Sequence, residues 1–309
     1  MSALRRERSS TLETLSDDLA AAVERAAASV VAVHARPRIA SSAVLWRPGV
    51  VVTADHTVRK DDGVTVTLSD GRSVAATLAG RDAATDVAVL RIDAERVPVA
   101  DFAAAGALKV GHIVLQIGRT GGGGHSASFG VVGALVGPWR TWRGAEIAQL
   151  IQLDLAIHDG FSGSPLVDAE GKVVGLNTSG LARGLAVALP VAVVDPVVDA
   201  LLAKGRIARG YLGVGLQPVE LPPALARKYD PPRRSALVVL NVDPDGPSER
   251  GGLQLGDVIV DVDQRPVADV RDVLSLLGPE RVGSAVRLGV VRGGAPIAVS
   301  VTIAERPAR

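Results

Sequence analysis

Residues 151–178 read IQLDLAIHDGFSGSPLVDAEGKVVGLNT, centred on Gly160-Phe161-Ser162-Gly163-Ser164-Pro165-Leu166. Glycine permits backbone geometry closed to other residues and lets a substrate approach the main chain. A serine held in such a turn can project outward while neighbouring N–H groups converge on one point, as an oxyanion hole requires. An ordinary Gly/Ser/Pro turn between two strands accounts for the same residues. The rest of the chain has to decide between the two.

On either side the apolar residues come in short runs bounded by Gly, Pro, Asp or Ser. They fall at 30–33, 44–46, 50–53, 64–68, 73–79, 87–92, 113–117, 131–136, 147–153, 173–177 and 185–189. Short strands with turn signals at this spacing predict all-β sandwiches or barrels. Asp70-Gly71 marks a hairpin turn, and Gly121 to Gly124 reads as a flexible connector, since no helix or phosphate-binding lysine follows it. Three segments carry helical spacing instead. The first runs from an N-cap at Ser16 to about Ala28, the second over 190–204 ahead of Gly205, and the third over 267–277 ahead of Gly278-Pro279. The fold class is therefore mostly β. Its divisions are an N-terminal segment with an amphipathic helix (1–29), a first β domain (30–190), a helical linker (191–208) and a second β-rich domain (209–305).

Composition narrows the function. The chain has 309 residues, 34 basic and 33 acidic, for a net charge of +1. Such a balance offers no electrostatic case for nucleic acid. There are no cysteines, which excludes disulfides, thiol catalysis and thiolate metal sites. Nothing in the pattern asks for a cofactor or a metal. No apolar core of a signal peptide follows the basic start, and no stretch is long and apolar enough to span a bilayer. The expected address is cytoplasmic, or periplasmic for a processed form.

A serine nucleophile needs a base, and the base needs an orienting group. Of five histidines, His56 stands out, because it follows the apolar run 50–53 and so sits just past a strand end, at the rim of a barrel. His158 shares the tight loop of Ser162 and reads as loop wall. His34, His112 and His125 have no adjacent acid or motif. Asp86 enters the apolar run 87–92 and can be aimed at an imidazole, whereas Asp82 looks more exposed. The order His56, Asp86, Ser162 is that of chymotrypsin; α/β-hydrolases run Ser, acid, His.

With these residues in place, the chain resembles the HtrA/Deg-type serine proteases. Thr53-Ala54-Asp55-His56 is similar to that family's Thr-Asn-Asn-His, and residues 80–90 (GRDAATDVAVL) closely match its acid motif. Residues 160–166 resemble Gly-Asn-Ser-Gly-Gly-Pro-Leu. Matching stretches run from about residue 16 to 305. The resemblance implies a chymotrypsin-like double β-barrel followed by a PDZ domain. It implies that Ser162 attacks the scissile carbonyl, His56 is the base and Asp86 fixes its tautomer. It further implies that the N–H groups of Gly160 and Ser162 form the oxyanion hole. Ala156, six residues before Ser162, matches the base of the primary specificity pocket; a small apolar residue there predicts cleavage after Val, Ala or Leu. The strand 173–177 and the loop 178–183 are expected to form the edge and wall of the cleft.

The tail carries the second half of the resemblance. Tyr211-Leu212-Gly213-Val214 is similar to a PDZ carboxylate-binding loop, whose N–H groups at Leu212, Gly213 and Val214 would hold a C-terminal carboxylate. Residues 242–259 also follow the family pattern. Two departures stand beside the nucleophile. Phe161 replaces Asn, and Ser164 replaces Gly, where a Cβ would crowd the turn if the backbone took a positive φ. The function expected is a serine endopeptidase of unfolded or damaged protein, with C-terminal peptides as PDZ partners and a homotrimer as the family's assembly. The alternative is a binding or chaperone-like protein whose protease site is idle.

Overall fold

The computed structural model describes residues 10–120, 124–141, 145–182, 184–227 and 234–307. Most of the glycine run at 121–124, and Arg183 in the expected cleft wall, lie outside them. The chain divides into two compact units, Met1–Ile207 and Ala208–Arg309.

The first unit opens with α1 (Thr11–Ala27). Its N-cap is Ser10, not Ser16. The Ser10 hydroxyl accepts from the Glu13 N–H, and the Glu13 carboxylate accepts from the Ser10 N–H. This capping box satisfies two of the helix's orphan donors, so the helix starts earlier than the acidic pair at 17–18 suggests. Its buried face is Ala22, Ala26 and Ala27.

Six strands follow: β1 (Val30–His34), β2 (Ser41–Arg47), β3 (Val50–Ala54), β4 (Val64–Thr67), β5 (Ser73–Asp82) and β6 (Val87–Ile92). They close into an antiparallel barrel in the order β1-β2-β3-β6-β5-β4. Val31, Val33, Leu45, Val51, Val66, Leu68 and Leu90 fill it. With aromatics at 3 % of the chain, branched aliphatics carry the packing. A second set comprises β7 (Ile113–Gly118), β8 (Ser126–Val136), β9 (Trp139–Arg140), β10 (Glu146–Ile147), β11 (Leu150–Asp154), β12 (Pro165–Val167), β13 (Val173–Thr178) and β14 (Val187–Pro190). Of these, β11-β14-β13-β12-β7-β8 close a second barrel, while β9 and β10 pair separately. The double barrel is the architecture the resemblance implied. The apolar run at 147–153 is divided between β10 and β11. Strand β12, starting at Pro165, has no counterpart among the predicted strands.

Helix α2 (Val191–Lys204) ends on Gly205 in the left-handed region. Val194, Val197, Val198 and Leu201 pack into the core of the first unit, against β5, β6 and β13. On its outer side Asp195 accepts from Trp46 Nε1 at 2.6 Å, and Arg47 bridges Asp195 and Asp199.

The second unit contains β15 (Gly210–Tyr211), β16 (Val214–Glu220), α3 (Pro223–Ala226), β17 (Ser235–Val242), α4 (Pro247–Arg250), β18 (Val258–Val262), β19 (Arg265–Pro266), α5 (Val270–Ser275), β20 (Ala285–Arg292), β21 (Ala295–Thr302) and β22 (Ala304–Glu305). Its main sheet runs β16-β17-β18-β20-β21, so β16 is a terminal strand. Helix α5 is capped by Asp269 and packs beside β16.

Candidate active site

His56 sits in a single 3₁₀ turn, Asp55–Thr57, directly after the fully buried β3. Asp86 sits in the turn between β5 and β6 at φ 58, a left-handed conformation that Asp tolerates better than most residues. The two turns are tied together, since the Asp55 N–H donates to the Asp86 carbonyl at 3.1 Å. Arg81 braces the His56 turn. It reaches Asp55 Oδ1 at 2.5 Å, the carbonyls of Asp55 and Val58 at 3.2 and 2.7 Å, and Asp61 at 3.0 Å. Burial opposes the Arg81 charge, but the Asp55 and Asp61 carboxylates outweigh it and hold its pKa above the ordinary value.

The Asp86 carboxylate is almost fully buried. It takes His56 Nδ1 at 3.0 and 2.8 Å on its two oxygens, the His56 N–H at 2.9 Å, and the Thr178 hydroxyl. A carboxylate facing Nδ1 keeps the proton there and leaves Nε2 as the acceptor. Asp82, the rival acid, is spent locally on the N–H and hydroxyl of Thr85.

Ser162 comes from the second barrel, in the loop between β11 and β12. Gly160 and Gly163 hold φ of 86 and 89. A β-carbon on Gly163 would collide with Thr53 Oγ1 and the Ser42 carbonyl. Ser164 does not have a positive φ. Its hydroxyl is buried and accepts from Asn177 Nδ2 at 3.0 Å, so the serine in place of glycine fits without strain. Phe161 is buried, with its ring against Gly118 and edge-on to His158 at 5.9 Å. The Gly160 carbonyl is held inward by the Ser42 N–H and hydroxyl at 2.8 and 2.7 Å. No described residue accepts from the N–H groups of Gly160 or Ser162.

Among the described residues no hydrogen bond joins Ser162 Oγ to His56 Nε2. Ser179 stands between them. Its hydroxyl lies 2.9 Å from Ser162 Oγ and 3.5 Å from Nε2, and its N–H donates to Ser162 Oγ at 3.2 Å. Sequence reasoning did not single out Ser179, Thr178 as the Asp86 donor, or Ser42. Their only sequence signal is that Thr178 and Ser179 directly follow the apolar run 173–177.

Strand β13 is not an edge, because β12 and β14 flank it. Its pairing with β14 ends at Thr178. From there a cleft of about 800 Å³ opens, lined by Ser179, Gly180, Leu181, Ala182, Leu185, Val187, Val136, Trp139, Leu150 and Gln152. None of these side chains is charged. Ala156 is exposed on its loop, where its carbonyl accepts from Gln116 Nε2 at 2.6 Å. His34 pairs with Thr67 and His112 with the Lys109 N–H, away from this site.

In the second unit, Leu212-Gly213-Val214 leads into β16. Gly213 takes φ 71, and its carbonyl accepts from the Asp243 N–H. No described residue accepts from the Leu212 or Gly213 N–H. The outer edge of β16 faces α5, with Leu212, Val214, Leu216, Val270, Val273 and Leu277 apolar beneath them. An open strand edge beside a helix takes an extended peptide by strand addition.

The Trypsin-like peptidase domain family matches residues 41–176, and the PDZ domain family matches residues 210–303. The chain is 36 % identical over 277 residues to a probable periplasmic serine endoprotease DegP-like of Halomonas elongata, covering 88 % of this chain and 57 % of that protein. It is 35 % identical over 275 residues to the protein of the same name from Pseudomonas fulva, covering 87 % and 56 %. The chain thus spans little more than half the length of these curated relatives. Among solved structures, the HtrA-type protease AlgW with decapeptide superposes with a TM-score of 0.70 at 29 % identity, covering 94 % of this chain and 99 % of that one. The serine endoprotease from Yersinia pestis gives 0.70 at 30 % identity, covering 94 % and 98 %. AlgW with tripeptide gives 0.68 at 32 %, again covering 94 % and 98 %. These relatives correct the cytoplasmic address, because the curated ones are named periplasmic. The absence of an apolar leader carried no address for a chain that spans only part of its relatives.

Proposed function

The chain belongs to the HtrA-type family of trypsin-like, PDZ-containing serine proteases, and on that premise we propose that it is a periplasmic serine endopeptidase of unfolded or damaged proteins. In this reading Ser162 is the nucleophile, His56 the general base and Asp86 the group that orients and steadies the imidazole. The observation that carries it is the meeting of the three at one rim. His56 Nδ1 is 2.8 Å from a buried Asp86 carboxylate, and Nε2 faces the Ser179 hydroxyl, which in turn lies 2.9 Å from Ser162 Oγ.

The reaction follows from the geometry. A peptide carbonyl placed against Ser162 Oγ puts its oxygen near the unpartnered N–H groups of Gly160 and Ser162. There, developing negative charge meets donors already in position, each of which contributes about 3 kcal/mol to the transition state. The proton released by Ser162 passes to the imidazole and then to the leaving amine. The uncharged cleft beyond Ser179 favours an aliphatic side chain at the cleaved position; Ala156, expected at the base of the pocket, is not among the residues that line it.

The PDZ unit, in the same reading, binds C-terminal peptides. The N–H groups of Leu212, Gly213 and Val214 take the carboxylate and the open edge of β16 takes the peptide backbone. The domain limits proposed are 30–190 for the protease, 191–208 for the connecting helix and 209–305 for the PDZ domain. The resemblance also supports a homotrimer, which sedimentation velocity on the full chain tests. The activity itself is tested with a fluorophosphonate probe. An adduct on Ser162, absent from Ser162→Ala, supports the endopeptidase, and no adduct on folded protein refutes it.

A further inference from the structure

We propose that Ser42 is a positioning residue for the oxyanion hole, its hydroxyl anchoring the nucleophile loop of the second barrel to the first. The inference rests on the endopeptidase reading and adds a group to it. Ser42 lies on β2 and Gly160 lies between β11 and β12, 118 residues on. The roles of the hydroxyl are fixed by its partners. A carbonyl oxygen only accepts, so Ser42 Oγ spends its one proton on the Gly160 carbonyl at 2.7 Å. A backbone N–H only donates, so the same oxygen accepts from Arg119, directly after β7, at 2.9 Å. One hydroxyl therefore joins β2, the end of β7 and the nucleophile loop. Ser42 is fully buried, where both bonds are stronger than they would be in water.

Gly160 needs such an anchor. It holds φ 86 and, as glycine, has wide backbone freedom and no side chain to pin it. Its carbonyl shares a peptide plane with the Phe161 N–H. That plane is held at both ends, by the Ser42 hydroxyl and N–H on the carbonyl and by the His158 carbonyl on the N–H at 3.0 Å. The next plane carries the Ser162 N–H and is held through the Phe161 carbonyl, which accepts from the Ser164 N–H at 2.9 Å. The preceding plane carries the Gly160 N–H, from which no described residue accepts. Its aim is set through the dihedrals of Gly160, whose carbonyl Ser42 fixes. Ala40 and Thr120 wall the same glycine, since a β-carbon on it would meet the Ala40 carbonyl and Thr120 Cγ2. The hydroxyl thus acts on the direction of a donor used when charge develops on the substrate oxygen. Its loss should fall on the transition state and spare ground-state binding.

The test compares the full chain with Ser42→Ala, which keeps the N–H bond to Gly160, and with Ser42→Thr, which keeps the hydroxyl as well. Each is assayed on a fluorogenic peptide with an aliphatic residue at the cleaved position. Each is also inhibited with a peptidyl trifluoromethyl ketone of the same sequence, whose tetrahedral adduct puts a charged oxygen in the hole. Ser42→Ala is expected to lower kcat about tenfold, less than the roughly 10²- to 10³-fold lost with a whole donor. KM should stay within about twofold, and the inhibition constant should rise in step with the fall in kcat/KM. Ser42→Thr should restore most of both. Neither KM nor the inhibition constant depends on the fraction of folded enzyme, so partial unfolding cannot mimic this result. Ser42→Cys, which fills the site with a weaker donor, covers the case in which Ser42→Ala does not fold, and should fall between the parent and a full loss. An unchanged kcat and inhibition constant in the folded variant overturns the role of Ser42 alone. A lowered kcat with an unchanged inhibition constant overturns it in favour of packing. A parent chain inert to fluorophosphonate overturns the endopeptidase reading, and the role of Ser42 with it.

Discussion

Gly180 lies directly against the Asp86 carboxylate: a β-carbon built on it would stand 2.6 Å from Asp86 Oδ2 and 2.8 Å from His56 Nδ1. The segment after β13 therefore forms the lid over the His56–Asp86 pair as well as a wall of the cleft. Gly180→Ala should displace the imidazole by a few tenths of an ångström or more. A misplacement approaching 1 Å costs about 10²-fold in rate. Steady-state kinetics should show a fall of that order in kcat/KM, and the melting temperature should fall as well, because the clash lands on the buried Asp86 carboxylate.

The carboxylate of Asp86 accepts every hydrogen bond the turn offers it, from His56 Nδ1, the His56 N–H and the Thr178 hydroxyl. Asp86→Asn would present an N–H where an acceptor is needed and favour the wrong imidazole tautomer. A loss of about 10⁴ in kcat is expected, as for such a change in triad proteases generally. Circular dichroism should be unaltered. A variant within tenfold of the parent would remove Asp86 from the mechanism.

The cleft beside Ser179 is lined by Leu181, Leu185, Val136, Trp139 and other uncharged side chains. A Lys or Arg side chain placed there would be desolvated without a partner, which costs far more than an aliphatic group of the same length. Mass-spectrometric mapping of cuts in unfolded casein should find Val, Ala or Leu at the cleaved position. A dominant set of cuts after Lys or Arg would contradict this.

The PDZ unit should be sensitive to acid. Asp257 is 1 % exposed and holds Arg292 at 2.7 and 2.8 Å and the Gln254 N–H at 2.8 Å. Burial pushes its carboxyl up, but Arg292 and the Gln254 N–H outweigh it and hold it below the ordinary 3.8. Asp263 and Asp269 are also held low, first by the N–H of Arg287 and by the Arg271 side chain respectively. A carboxylate with a depressed folded pKa stabilises the fold above its unfolded pKa, and that stabilisation is lost as pH falls through the folded value. Hydrogen exchange on the full chain should therefore show residues 208–307 losing protection below about pH 4. Asp257→Asn should weaken protection at neutral pH by about 1–3 kcal/mol and flatten the acid dependence.

Much of this was legible in the sequence, for reasons particular residues make clear. His56, Asp86 and Ser162 each adjoin a strand end or a glycine turn, so local pattern singled them out as candidates. The strand runs were legible because β-branched residues dominate them. What local pattern could not supply was contact across the chain. Ser179 matters because it meets His56, 123 residues away in sequence, and Thr178 because it meets Asp86, 92 residues away. Strand β12 escaped because Pro165 opens it and only three residues follow the turn's geometry. The start of α1 was misplaced because two cap-like serines compete, and only Ser10 has a glutamate three residues on.

The measurement that bears most directly on the central claim is fluorophosphonate labelling of the full chain beside Ser162→Ala, read by peptide mass spectrometry and by casein hydrolysis. One adduct is expected, on Ser162, with labelling and hydrolysis both abolished in the variant. A folded parent chain that takes no label, or a Ser162→Ala chain that still cleaves casein, would contradict it.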